Sequence, residues 1–237
     1  MLITLPNAFG DAATNMAIDA ALLETIPEGQ MTFRHYGWTE PAITFGYSQH
    51  HREVAALCSE GIALCRRMSG GGIVDHRNDW TYSLVIQKDN PVAGISSTDL
   101  YAKIHAALAD ALACQKVATQ SAPCPRQCQD TMTKSDGPDQ CFVQPAFNDV
   151  LTSDGRKIAG AAMKRTKKGL LIQGSIDRAA LPDSLDYNLF QENFIKQLIE
   201  SLELSPHSPY DLRPYFRSDV IEREKQKFSS EEWTNRR

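Results

Sequence analysis

Three glycines in a row, Gly70, Gly71 and Gly72, stand inside "CRRMSGGGIVDH", residues 65–76. The run before them, "IALCRR", has the pattern of a strand. The segment that follows, "DWTYSLVIQ" (79–87), is rich in aromatic and branched residues and is a stronger strand pattern still. A phosphate loop of the nucleotide type and a dinucleotide fingerprint both need a helix directly after the glycines. A glycine loop between strands therefore argues against both folds. Glycines at these positions permit positive φ and let a ligand approach the backbone closely. Successive N–H groups there can hold a phosphate or a carboxylate. Arg66 and Arg67 add charge that suits either anion, and His76 is placed to close the other side. The plainer reading is a hairpin turn with solvated arginines.

Around this loop the chain alternates between helical and strand periods. "ATNMAIDAALLETI" (13–26) carries Met16, Ala20 and Leu23 at helical spacing, with Thr14 or Asn15 as cap. "MTFRHYG" and "PAITFGY" read as strands separated by the turn-like "WTEP", and "HREVAALCSEG" as a short helix ended by Gly61. "STDLYAKIHAALADALACQ" is the strongest helix, capped by Ser97 or Thr98. Residues 118–140 are polar, contain proline and lack periodicity, so a long loop is expected. From "CFVQPAFNDVLTSDGRKIAGAAMKRTKKGLLIQGSID" we expect an antiparallel meander, and "LFQENFIKQLIESL" and "DVIEREKQKFSSEEWTNRR" are helical. The expected class is α+β, in one domain spanning 1–237.

The 237 residues suffice for one large domain, and 42% hydrophobic with 23% charged residues is ordinary for a globular chain. A net charge of −4 argues against nucleic acid as a partner. No run of about 18 apolar residues is present, so no membrane span is expected. The first residues lack a basic start and an apolar core, which excludes a signal peptide and makes a cytoplasmic location the expectation. Of the six cysteines, Cys124 and Cys128 in "CPRQC" have a spacing that zinc tolerates, but a second pair is missing and no metal site is expected.

The second informative stretch is "GRKIAGAAMKR". Lys157 enters a strand of Ala159, Gly160, Ala161 and Ala162, and four small residues leave space against that strand. A lysine projecting into such space can fix a carbonyl or phosphate oxygen as a point charge. The alternative is a surface lysine in a hairpin.

These residues resemble the lipoate–protein ligase and octanoyltransferase family, which shares its catalytic fold with biotin–protein ligases. The matching segments are "NMAIDAALL", "RHYGWTEPAITFGYSQ", "RRMSGGGIVDHRNDWTYSLVI", "NDVLTSDGRKIAGAAMKR" and "GLLIQGSI", in family order over residues 10–180. The resemblance implies a mixed, largely antiparallel sheet flanked by helices. It implies that Arg67, Ser69, Gly70, Gly71, Gly72 and His76 line the lipoyl tunnel and the bound acyl-adenylate. Lys157 would contact the acyl carbonyl and the phosphate, Asn148 and Asp149 match the "ND" that precedes this lysine, and Gly160 and Ala161 border the ligand. An aliphatic chain needs a narrow slot, which backbone without side chains provides.

The family joins an eight-carbon acyl group to a lysine of a lipoyl carrier domain, in the E2 subunits of 2-oxoacid dehydrogenases or the glycine cleavage H protein. A protonated lysine, with an ordinary pKa near 10.4, is not acylated by a free carboxylate. The glycine triplet, "ND" and Lys157 favour a ligase that activates lipoate with ATP and magnesium. An alternative is a transferase that takes octanoate from a thioester on acyl carrier protein through Cys141, which has the family's "CF" context; "TYS" (Thr81–Ser83) favours it, as does the expectation of no C-terminal accessory domain. Cys141 has also a plain reading as a loop thiol. Two departures from the family pattern, Ile172 (often a histidine) and Met163 (often polar), leave a third reading, a non-catalytic lipoate- or carrier-binding protein.

Overall fold

The computed structural model describes residues 1–123 and 145–236. The first half contains β1 (Leu2–Thr4), β2 (Ala8–Gly10), α1 (Ala12–Thr25), β3 (Met31–Trp38), β4 (Ala42–Phe45), α2 (His51–Ala55), β5 (Ala63–Arg66), β6 (Val74–Asp75) and β7 (Asp79–Gln87). It continues with α3 (Ser97–Ala113) and β8 (Thr119–Ser121). Then follow β9 (Val150–Thr152), β10 (Lys157–Arg165), β11 (Gly169–Asp177), α4 (Tyr187–Ser201), β12 (Pro206–His207), α5 (Ser218–Phe228) and α6 (Glu231–Thr234). The described strands form a large sheet in the order β12-β1-β3-β7-β11-β10-β9-β8, with β2 beside β3, and a small sheet in the order β5-β4-β6. Pairing is antiparallel from β3 through β8 and parallel where β1, β2 and β12 join. The expected α+β class and the β9–β10–β11 meander are both present.

Several local expectations change. The cap of α1 is Asp11, whose carboxylate accepts from the Thr14 N–H, and that of α3 is Ser96, which accepts from the Asp99 N–H. The helix after His50 stops at Ala55 and does not reach Gly61. Strand β4 does not pair with β3 as a hairpin but leaves for the small sheet. Within the expected loop 118–140, Thr119–Ser121 pair with β9. The last helical stretch is two helices, broken at Ser229 and Ser230, where the Ser230 hydroxyl accepts from the Trp233 N–H. No described helix is long and apolar enough to cross a membrane.

Side chains alternate between the faces of a strand, so the register decides what each face carries. Trp80, Tyr82, Leu84 and Ile86 of β7 point with Phe33 of β3 and Ile172 and Ile176 of β11 into the main core, under α3 and α4. There Phe190 and Phe194 of α4 meet Trp80 and Tyr82 edge-on. The opposite face lies under α1 and has an unusual composition. The register aligns Gly160, Ser175, Thr81 and Tyr36 in one row across β10, β11, β7 and β3, and Ala162, Gln173, Ser83 and Arg34 in the next. A third row, Leu171 and Val85, is apolar and packs on Leu22 and Leu23 of α1.

Polar side chains on a buried face need partners, and Asp19 of α1 supplies them. Its fully buried carboxylate accepts from Arg34 Nη1 (2.9 Å), Tyr36 OH (3.0 Å), Ser83 Oγ (2.7 Å) and Gln173 Nε2 (2.8 Å). Arg34 also donates to Asn15 Oδ1, one helical turn earlier. Burial beside this carboxylate holds the Tyr36 phenol well above its usual pKa and thus protonated. Removing one partner of a buried ion pair leaves the other charge uncompensated, at a cost of about 3–5 kcal/mol. Asp19→Ala is expected to lose that much stability, read in urea unfolding as a lower midpoint at unchanged slope.

Candidate functional site

The glycine loop joins β5 to β6, and β4 lies between those two strands. It therefore crosses the end of a sheet and is not a hairpin turn. The crossing brings backbones together. A Cβ on Gly46, just after β4, would overlap the carbonyl of Gly71. Gly71 has φ +85°, and a Cβ there would stand 3.3 Å from Cβ of Ala162 on β10. The loop thus lies against the large sheet, and only a residue without a side chain takes this conformation at this distance.

Both arginines shape the loop. Arg67 Nη2 donates to the carbonyls of Gly70 (3.0 Å) and Gly72 (2.8 Å), and Nη1 to Thr44 Oγ1 (2.7 Å). Arg66 is fully buried. It donates to the carbonyls of Tyr47 (2.8 Å), Gln49 (2.7 Å) and Thr234 (2.9 Å), while Trp233 Nε1 donates back to the Arg66 carbonyl (2.8 Å). Neither is a solvated cation. The expected anion-facing charge of Arg66 is corrected to a clamp that ties α6 to the root of the loop.

Between loop and sheet lies a narrow cavity of about 40 Å³. Gly71 and Gly72 form one wall, Gly160 and Ala162 the other, with Ser175 and Thr81 along it. Ser69 is buried beneath the loop and donates to Gln173 Oε1 (2.6 Å), which joins the loop to Asp19 through Gln173. Arg67 and His76 also line the cavity. Thr44 Oγ1 accepts from Arg67 and pairs with His76 Nε2 (2.7 Å), while His76 Nδ1 pairs with Asp79 Oδ2 (2.7 Å). Trp38 stacks on the imidazole at 3.8 Å between centroids.

Lys157 is not a surface lysine. Its side chain is 5% exposed, and Nζ lies 2.6 Å from Oδ2 of the fully buried Asp149. Gly160, in the cavity wall, is its seat: a Cβ there would stand 2.7 Å from both Cε and Nζ of Lys157. A register shift between Lys157 and Ala159 brings the lysine and Gly160 to the same side. Asn148 serves through its backbone, with φ +68° and a carbonyl that accepts from His105 Nδ1 (2.7 Å). Burial pushes His105 down to about 4, so its ring is neutral near pH 7. Ala161 gives its N–H to Tyr101 OH (3.0 Å).

The structure thus brings Gly71, Gly72, His76, Gly160, Ala161 and Arg67 around one cavity, with Lys157, Asp149, Ser69 and Gly70 in direct contact with its walls. Cys141, Cys124 and Cys128 lie outside the described residues. Cys65 is buried and its thiol is pushed up to about 12, far from the thiolate a nucleophile needs. Ile172 and Met163 face each other across β11 and β10 on the core side of the sheet, away from the cavity, and Gln173 is the residue facing the loop. Their departure from the family pattern leaves the cavity wall intact. Sequence reasoning missed Asp19, Thr44, Asp79, Tyr101 and His105. Asp19 had a signal: with Asn15 it is polar at i and i+4 within an otherwise apolar helix.

Gly160→Ala is a sharp probe of this arrangement. The atoms it displaces belong to the flexible end of Lys157, so the fold accommodates the methyl group while the ammonium leaves Asp149. Because this parts a buried ion pair, the unfolding midpoint is expected to fall as well, and activity per folded molecule falls by roughly 10²-fold, the cost of about 1 Å of misplacement; full activity per folded molecule would contradict it.

With this geometry in hand, comparison with known proteins is direct. Residues 11–200 match the lipoyl protein ligase A/B catalytic domain. Octanoyltransferase LipM of Geobacillus kaustophilus is 27% identical over 95% of this chain and 94% of its own. Octanoyltransferase LipM of Oceanobacillus iheyensis is 33% identical over 79% of this chain and 67% of its own. Among solved structures, a lipoate-protein ligase A bound with ATP superposes with a TM-score of 0.74 over 98% of this chain and 97% of that one, at 19% identity, a likeness of fold. The chain belongs to the lipoyl protein ligase A/B catalytic-domain family, enzymes of lipoyl and octanoyl transfer to carrier-protein lysines.

Proposed function

We propose that this chain is an octanoyltransferase that moves an octanoyl group from a thioester of acyl carrier protein to a lysine of a lipoyl carrier domain. The observation that carries it is the buried Lys157 ammonium seated on Gly160 beside a slot walled by glycine and alanine. The slot has the narrow shape that suits an unbranched chain and must widen from about 40 Å³ to take eight carbons; in this reading the neighbouring ammonium meets the oxygen of the chain's carbonyl.

The choice of donor rests on the relatives. Both octanoyltransferases are more similar in sequence than the ATP-bound ligase, which supports the fold only. This reverses our sequence-based preference for an ATP- and magnesium-dependent lipoate ligase. The arginines beside the loop support the reversal, because Arg66 and Arg67 donate to main-chain carbonyls where a nucleotide would call for cations facing its phosphates. The non-catalytic reading loses its motive, since Ile172 and Met163 face the core.

In this reading the Cys141 thiolate attacks the thioester carbonyl. The carbon–oxygen double bond opens to an oxyanion, and Lys157 Nζ–H donates to it. The oxyanion collapses, the carrier thiolate leaves and takes up a proton, and the octanoyl group remains on Cys141 as a thioester. The neutral amine of the lipoyl-domain lysine then attacks the same carbonyl. Cys141 thiolate leaves, and the amine gives up its extra proton as the amide forms. Both steps exchange acyl bonds of similar or falling energy, so ATP is not consumed.

The test is intact-mass spectrometry after mixing with octanoyl-acyl carrier protein. The expected result is one octanoyl adduct on the wild type, lost on adding a lipoyl domain and absent from Cys141→Ser. Activity with lipoate plus ATP that persists in Cys141→Ser, with no adduct on the wild type, would restore the ligase reading.

A further inference from the structure

Lys157 owes its place to Asp149, and Asp149 has its own supports. Its Oδ2 accepts from Lys157 Nζ (2.6 Å) and from the Ala146 N–H (2.6 Å), and its Oδ1 accepts from Tyr101 OH (2.5 Å). A carboxylate beside an ammonium only accepts, so the phenolic proton points to Asp149. The lone pairs of the same oxygen then accept the Ala161 N–H of β10 at 3.0 Å. Strand β9 pairs with β10 only as far as Ala159, so this oxygen takes over where the ladder ends. One turn along α3, the His105 ring packs edge-on to Tyr101 at 4.1 Å, and its Nδ1–H donates to the Asn148 carbonyl (2.7 Å). Residues at i and i+4 of one helix thus grip consecutive residues of the "ND" turn. Asn148 takes the left-handed conformation at φ +68°, which asparagine adopts more readily than most residues, and its own N–H donates to the Ala122 carbonyl (3.1 Å).

We propose that Tyr101 is a positioning residue for acyl transfer: through its hydroxyl it fixes Asp149 against β10 and so holds the Lys157 ammonium beside Gly160. This rests on Lys157 acting on the acyl carbonyl, as proposed above. Tyr101 does not touch the substrate. Its ring fills space on α3, while its oxygen ties α3, the "ND" turn and β10 to one point. Losing the oxygen alone lets the carboxylate turn about its side-chain torsions and carries the ammonium with it.

Tyr101→Phe keeps the ring and removes the oxygen. With octanoyl-acyl carrier protein as donor and a lipoyl domain as acceptor, kcat is expected to fall roughly 10- to 100-fold, with KM for both proteins unchanged. A second arm separates positioning from packing. In an Asp149→Asn background, Tyr101→Phe is expected to cost nothing further, because both changes break one linkage. A Tyr101→Phe enzyme with kcat within about twofold of the wild type would overturn the proposal, as would a full further loss in the Asp149→Asn background. The single variant decides the matter even where Asp149→Asn does not fold. Lys157→Ala run in parallel distinguishes two failures. An active Lys157→Ala enzyme overturns the underlying reading and this proposal together. An inactive one beside a fully active Tyr101→Phe enzyme overturns this proposal alone.

Discussion

A carboxylate with no exposure to water, Asp19, makes the architecture of the site possible. A sheet face that carries Arg34, Ser83 and Gln173 would be costly to cover with a helix unless each group found a partner. Asp19 stands on α1 where it reaches all three and Tyr36 besides. The helix can then lie on a polar face as firmly as on an apolar one. From Gln173 the chain of bonds passes to Ser69 and into the glycine loop. The loop is thereby fixed to the sheet from below, while Arg67 fixes its curvature from within and Arg66 anchors its root to α6. The result is a slot with rigid walls, and rigidity of this kind is what a site for transfer at a single carbonyl requires.

Glycine appears at three places in this arrangement for three separate reasons. At Gly46 another backbone occupies the space of a side chain. At Gly71 the conformation and the closeness of Ala162 both exclude one. At Gly160 the space belongs to Lys157. The last case explains the stretch of small residues around the lysine. Strand β10 gives up packing volume so that an ammonium can lie along it and still reach Asp149. A fully buried pair of this kind is weak evidence for stability. Its value lies in holding a charge at a fixed point beside an apolar slot.

Much of this was legible in the sequence because it rests on local pattern. The glycines between two strand-like runs excluded nucleotide loops, and the small residues after Lys157 marked a strand with room beside it. The helices and the meander followed from periodicity. Other features depend on partners far away in the chain. One of the targets of Arg66, the Thr234 carbonyl, lies 168 residues distant, and no local rule predicts it. The roles of Ile172 and Gln173 turn on a parity of one residue, because a strand's faces alternate. The register set by β7 puts Gln173 under the loop and Ile172 in the core. Strands as short as β1, β6 and β12 carry too few residues to show an alternation. Tyr101 and His105 read as ordinary positions of a strong amphipathic helix, and their function exists only once the "ND" turn packs beside them.

The proposed function requires an unbranched acyl chain to lie between the glycine loop and β10 with its carbonyl end at Lys157. A crystal structure with octanoate tests this placement. Density for the chain is expected between Gly71–Gly72 and Gly160–Ala162, with a carboxylate oxygen about 2.7–3.2 Å from Lys157 Nζ. Octanoate bound elsewhere, or lying in the slot with its carboxylate away from Lys157, would contradict it.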